Sequence, residues 1–136
     1  MPRLVRQAAA IPVRSGQVCL VTSRSGSRWV IPKGQIDPGH TAGESALIEA
    51  WEEAGLVGTL DPGPVGSYHY EKYGLTHHVT VFVLRVTEQK ADWPERAFRV
   101  REWVPIETAV DRVEEAGLQD LLRVVFEARA EPARLG

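Results

Sequence analysis

Gly34-Gln35-Ile36-Asp37-Pro38-Gly39-His40-Thr41-Ala42-Gly43-Glu44-Ser45-Ala46-Leu47-Ile48-Glu49-Ala50-Trp51-Glu52-Glu53-Ala54-Gly55-Leu56 spells out a helix with both of its ends. Thr41, followed three residues later by Glu44, fits a capping box, in which each side chain accepts from the other residue's backbone N–H. Gly55 stands where a left-handed residue closes the last turn. Before the helix, residues 35–40 read as a loop built on the turn sequence Asp37-Pro38-Gly39. At about 100° per residue, Gly43, Ala46, Leu47, Ala50, Trp51 and Ala54 fall on one side and predict a face packed close to a sheet. Glu49, Glu52 and Glu53 fall on the opposite side within about 100° of arc. Unrelieved like charges at this spacing cost on the order of 0.2–0.5 kcal/mol per pair, and the helix carries no Lys or Arg to relieve them. A divalent cation such as Mg²⁺ relieves them through oxygen ligands; a solvated acidic face accounts for the spacing equally well.

Strands flank this helix. Leu4 to Val13 is apolar, Arg14-Ser15-Gly16-Gln17 marks a turn, and Gln17 to Ser23 returns. A short strand is expected at Arg28 to Ile31, broken by Pro32-Lys33-Gly34. After a Gly/Pro-rich loop come strands at Val65 to Tyr70, His77 to Thr87 and Val100 to Val104. Val79 to Leu84 is apolar on both faces apart from Thr80, which predicts helices on both sides of the sheet. Ile106 to Ala116 and Leu118 to Ala130 read as helices interrupted at Gly117. The fold class is α/β.

With 136 residues, 43% of them hydrophobic and 25% charged, the chain predicts a single domain over 1–136 with a core of its own. Cys19 is the only cysteine and reads as a buried core thiol. A net charge of −2 argues against a general nucleic-acid binder, and no run is long enough for a membrane helix. A cytoplasmic enzyme is the default expectation, with oligomeric state open, a homodimer included. The distribution of charge says more. Residues 1–33 hold Arg3, Arg6, Arg14, Arg24, Arg28 and Lys33 with no acid, and residues 34–71 hold seven acids with no Lys or Arg. If the two segments meet at one cleft, it suits a polyanion on one side and a divalent cation on the other.

Gly34 to Leu56 resembles the Nudix box: G, five residues, E, seven residues, then R-E-U-x-E-E-x-G-U with U apolar. Gly34, Glu49, Ala50, Glu52, Glu53, Gly55 and Leu56 match in register. His40 replaces the pattern's Glu and Ile48 its Arg, two side chains that commonly pair in the family and help set the metal-binding carboxylates. Arg28-Trp29-Val30-Ile31-Pro32-Lys33-Gly34 and the stretch Val79 to Thr108 extend the likeness to members acting on diphosphoinositol and diadenosine polyphosphates. The resemblance implies an α/β/α sandwich around a mixed sheet. It also implies a metal-dependent pyrophosphohydrolase that cleaves a phosphoanhydride in dinucleoside polyphosphates or related polyphosphorylated small molecules, with Mg²⁺ or Mn²⁺ as cofactor. The metal set carried over is Glu49, Glu52, Glu53 and Gly34, and the catalytic set Glu52 and Glu53, with the general base left open between them. The alternative, from another class, is a catalytically weak Nudix domain that senses a nucleotide or polyphosphate.

On the substrate side, Arg24 lies in the loop before the entry strand, where polyphosphate-processing relatives carry a phosphate-binding arginine; a guanidinium offers phosphate two donors at once. Lys33 beside Gly34 and Arg6 on the first strand are further candidates. The inositol-phosphate relatives carry an arginine before the central strand where this chain has His77-His78, and His78 is a candidate donor to phosphate. Tyr73 lies close to where the diadenosine-polyphosphate members place a tyrosine, and an aromatic there suits base stacking. A solvated loop arginine, a half-exposed strand histidine and a rim tyrosine are the competing structural readings. Trp93 before Pro94 reads as loop packing.

Overall fold

The structure, a computed structural model, describes residues 3–135, with side chains to residue 128. Met1, Pro2 and Gly136, the ends of the expected 1–136 domain, lie outside the described residues. In chain order the elements are β1 (Leu4–Arg14), β2 (Gln17–Thr22), β3 (Trp29–Val30), β4 (Lys33–Gln35), α1 (Ala42–Ala54), β5 (Leu56–Leu60), β6 (Gly66–Lys72), β7 (Leu75–Gln89), β8 (Arg101–Pro105), α2 (Ile106–Arg112) and α3 (Ala116–Leu135).

Period-2 alternation sets the layers. β1 and β7 pair in parallel at the centre, from Leu4↔Thr76 to Val13↔Arg85. Ala8 and Ala10 of β1, with Phe82 and Leu84 of β7, join Ala46, Ala50 and Ala54 of α1 in one core. Ala9, Ile11 and Val13, with Val79, Val81 and Val83, join Ile106 and Val110 of α2 and Leu118, Leu122 and Val125 of α3 in the other. Every other strand pair is antiparallel: the sheet runs β3-β2-β1-β7-β5, with β4 on β1, β6 on β7 and β8 on β2. The expected mixed sheet between helices is present. Among the described residues no helix is long and apolar enough to cross a membrane. Cys19 is fully buried, and burial pushes its thiol pKa up to about 12.

Three local expectations change. Lys33–Gln35 is not a break but a strand, held by backbone pairing to Gln7, Ala8 and Ala9. Leu56–Leu60, expected as loop, pairs with β7 across a bulge at Val57/Gly58. The break between the last two helices falls at residues 113–115, where Val113 is extended, and Gly117 lies inside the first turn of α3. Gly117 is there because a Cβ would lie 2.4 Å from Tyr68 Cβ. The helix can then approach the sheet closely without breaking.

The packed arc of α1 also differs from the predicted one. Ala46, Ala50 and Ala54 are fully buried, but Leu47 and Trp51 are 38% and 37% exposed. The helix lies close enough to the sheet that only small side chains fit beneath it, and the bulky ones are turned to the flank. Glu53 turns the other way and becomes 6% exposed.

Candidate active site

The geometry of the site begins with how α1 is tied down. The capping box forms as read: Thr41 Oγ1 accepts from Glu44 N–H at 3.1 Å, and Glu44 Oε1 accepts from Thr41 N–H at 2.7 Å. Gly55 adopts φ 66° and returns its N–H to Ala50 and Trp51. The last carbonyls of a helix lack intrahelical donors, and here the segment 93–101 supplies them. Glu95 N–H donates to Glu52 O at 3.0 Å, Trp93 Nε1 to Glu53 O at 3.0 Å, and Arg101 Nη1 to Ala54 O at 2.7 Å. Trp93 thus does more than pack a loop.

The carboxylates sit where this helix passes β4. Glu49 lies against Gly34, so closely that a Cβ on residue 34 would be 2.4 Å from Glu49 Cδ and 2.6 and 2.7 Å from its oxygens. Glu49 and Glu53 stand one helical turn apart, close enough that each acts on the other's pKa. Glu53 Oε1 accepts the Lys33 backbone N–H at 3.2 Å, and Arg99 Nη2 lies 3.5 Å from Glu53 Oε2. Burial first, and Glu49 second, push the Glu53 pKa up to about 8, although Arg99 and the Lys33 N–H pull it down. Burial also raises Glu49, helped by Glu52. Glu52 stays half-exposed beside this pair. Among the described residues no three His, Cys, Asp or Glu side chains are drawn into a preformed ligand cluster. The fold sets Glu49 against Gly34 and buries Glu53 between the Lys33 N–H and Arg99. It also brings a cation the helix lacks, Arg99, which sequence spacing along α1 did not disclose.

The residues present suit a divalent cation on two observations. Every donor is oxygen, the preference of Mg²⁺, and the missing Cβ of Gly34 leaves the Glu49 carboxylate its seat. A cation would relieve the repulsion between two neighbouring carboxyls whose ionisation burial opposes. Because the folded pKa of Glu53 is raised from its ordinary 4.5 to about 8, this group's contribution to stability without metal is complete below 4.5. It is lost as pH rises through about 8. Metal binding at neutral pH is therefore expected to release a proton. Calorimetric titration with Mg²⁺ in two buffers of different ionisation enthalpy counts it, and a heat identical in both buffers contradicts a raised Glu53 pKa.

Both thirds of the charge pattern meet at one cleft of about 250 Å³, lined by Arg24, Arg28, Lys33, Lys72 and Arg99 with Glu53 among them. Burial lowers the Lys33 pKa, against the pull of Glu115 and Glu53. Its Nζ stacks 5.1 Å above the Tyr70 ring, whose hydroxyl donates to Gln7 Oε1 at 2.7 Å. Arg28 is 3.5 Å from both Glu114 and Glu115. Arg24 packs 4.7 Å over the Phe98 ring. An adjoining hollow brings Tyr73 to Arg24, Arg28 and Lys72. Tyr73 is 87% exposed at φ 54°, a left-handed conformation uncommon for a bulky residue. Lys72, Arg99 and Phe98 were not foreseen from the sequence; only the Arg-rich run Arg96 to Arg101 hinted at a second basic segment.

Arg6 and His78 do not join this cleft. They are paired across β1 and β7 and line a separate hollow with Ile36, His40 and Ala42 at the start of α1. Alternation decides it: Arg6 shares the face of Ala8 and Ala10, whereas Lys33 stacks on Tyr70, which packs with the opposite core. His78 instead meets His69 edge to face at 4.8 Å. His40, replacing the box Glu, is exposed on that same side, and Ile48 is half-buried.

This constellation, a box helix laid on a mixed sheet with its Glu53 facing a basic cleft, defines a Nudix protein. The NUDIX domain model matches residues 4–125, and the chain belongs to that family. It is 34% identical over 125 residues to Nudix hydrolase 12, mitochondrial, of Arabidopsis thaliana, covering 83% of this chain and 62% of that protein. It is 36% identical over 100 residues to the human diphosphoinositol polyphosphate phosphohydrolase 3-beta, covering 71% and 60%. The chain thus spans about 60% of the length of these curated relatives. In fold it is similar to the solution structure of the E. coli ORF135 protein, with TM-score 0.76, 20% identity, and 96% and 94% of the two chains covered. It is likewise similar to a C. elegans Ap4A hydrolase, with TM-score 0.72, 23% identity, and 88% and 94% covered.

Proposed function

We propose that the chain is a metal-dependent pyrophosphohydrolase that cleaves a phosphoanhydride in a dinucleoside polyphosphate or a related polyphosphorylated small molecule. The observation that carries the reading is Glu53, on the catalytic helix, lining the cleft that also presents Arg24, Arg28, Lys33, Lys72 and Arg99. Glu49 and Glu53, with the carbonyl of Gly34, are the groups assigned to the metal; Glu52 is a further ligand or the general base. Mg²⁺ or Mn²⁺, when bound, supplies Lewis-acid polarisation of a phosphoryl oxygen and of the attacking water. The chain's own cations do the rest, holding successive phosphates in line for attack. Tyr73, which lines the adjoining hollow, is the residue assigned to stack on a base or ring of the leaving part. The relatives named for diphosphoinositol polyphosphates favour a phosphate-rich substrate over a nucleotide sugar. The loss of the box Glu and Arg at His40 and Ile48 favours the sensing alternative; the retained Glu49–Glu53 pair favours hydrolysis.

A panel of dinucleoside polyphosphates, diphosphoinositol phosphates, ADP-ribose and nucleotide sugars, assayed with Mg²⁺ and Mn²⁺, tests the class. Tight binding with no turnover anywhere in the panel supports the sensor. Within the hydrolase reading, Arg24→Ala is expected to lower kcat/KM about tenfold more for long polyphosphates than for ADP-ribose, the worth of one charge-assisted phosphate contact. An equal loss on every substrate shows that Arg24 does not read chain length, and a wide wild-type preference for ADP-ribose removes the substrate assignment.

A further inference from the structure

In this chain Ile48 stands at the box arginine's position, so α1 carries no cation of its own to orient the carboxylates. The segment that closes the C-terminal end of α1 delivers a guanidinium from outside the helix instead. Arg99 has a side chain only 8% exposed, matched by 8% for Glu53. Its donors are nearly all committed. Nη1 donates to Thr22 O at 2.8 Å, while Nε and Nη2 each lie 2.9 Å from Glu95 Oε1. Nη2 also faces Glu53 Oε2 at 3.5 Å. The same segment is fixed to α1 by Glu95 N–H on Glu52 O and by Trp93 on Glu53 O. Arg99 is therefore locked before any ligand arrives, and the helix it faces is locked to the same segment. The other oxygen of Glu53 is held by the Lys33 N–H at 3.2 Å. Each oxygen of this carboxylate thus has a partner outside the helix, one of them a buried guanidinium.

We infer that Arg99 is the positioning residue for Glu53, taking from the segment before β8 the orienting task that position 48 of the box does not perform here. The inference rests on the hydrolase reading above, since it assigns Glu53 to the metal. A guanidinium presents its donors in a fixed plane, so it sets direction as well as charge. Losing a partner that orients a ligand typically weakens metal binding about 10–100-fold.

The test measures Mn²⁺ affinity on the full chain by electron paramagnetic resonance of free Mn²⁺, alongside kcat and KM. Arg99→Met is expected to weaken Mn²⁺ binding about tenfold and to lower kcat more than it raises KM. In a Glu53→Gln background the same change is expected to leave Mn²⁺ affinity unaltered, because its target is gone. Arg99→Lys, which keeps the charge in a smaller and safer substitution, is expected to recover part of the affinity. A merely structural Arg99 would act equally in both backgrounds, and that result overturns the inference. Tighter Mn²⁺ binding by Arg99→Met also overturns it, since Arg99 would then be a competitor of the ion. A wild type that binds no Mn²⁺ and hydrolyses no diphosphate removes the hydrolase reading and this inference together. A wild type that does both, beside an Arg99→Met protein with unchanged Mn²⁺ affinity, removes this inference alone.

Discussion

Glu53→Gln is expected to lower kcat/KM by about three orders of magnitude, the several kcal/mol that a metal ion contributes at a phosphoryl transition state. The same change is expected to cut the rise in Tm that a fixed concentration of Mg²⁺ or Mn²⁺ gives the wild type, leaving weaker but measurable binding. Glutamine keeps the volume of the side chain and an oxygen for the Lys33 N–H. What it loses is the negative charge that faces Glu49 and the cation. Binding to the native state alone stabilises it by about 2.7 kcal/mol at a hundredfold excess over Kd, a shift easily read in a melting curve. Glu44→Gln provides the contrast. It makes the same change of charge at the capping position, where glutamine also serves, and it should leave the metal response in place. Equal melting responses in wild type and Glu53→Gln would place the ion elsewhere.

Gly34→Ala tests the other half of the seat. The backbone at residue 34 is not left-handed, so alanine is accommodated by the chain itself. The conflict is with Glu49, whose carboxyl would lie 2.4 Å from the new Cβ. That carboxyl is the far end of a flexible side chain, and it is expected to swing aside rather than unfold β4. Metal-free stability should therefore fall by no more than about 1 kcal/mol, while Mn²⁺ affinity falls about 10–100-fold. Unchanged affinity would show that Glu49 needs no such space and would remove Gly34 from the site. A large loss of metal-free Tm would instead make Gly34 a packing residue.

The box helix was legible because its signals are local. Thr41, Glu44 and Gly55 act on backbone groups within a few residues, and all three formed as read. The two-sided sheet was legible from Val79 to Leu84, because period 2 alone sends those side chains to two faces. β4 and β5 were not, since neither Lys33–Gln35 nor Leu56–Leu60 has a pattern of its own. They are strands because β1 and β7 offer them backbone partners. Leu47 and Trp51 misled for a similar reason. Helical spacing gives an arc, but the distance to the sheet decides which residues of that arc fit under it.

The sequence by itself determined the family, the box helix, and the fact that a basic segment precedes an acidic one. These are properties of residue order, and short-range forces act on them directly. Only the tertiary structure decided which members of each set meet. It brought Arg24, Arg28 and Lys33 to Glu53, and it sent Arg6 and His78 to the hollow beside His40. It set Glu49 against Gly34 and Glu53 against the Lys33 N–H. It placed Arg99, 46 positions along the chain, against Glu53. The physical reason is that a strand's face is fixed by its register with a neighbour. A one-residue shift of β1 or β4 would exchange every side chain between the two layers, and that register is set by pairings distant in sequence.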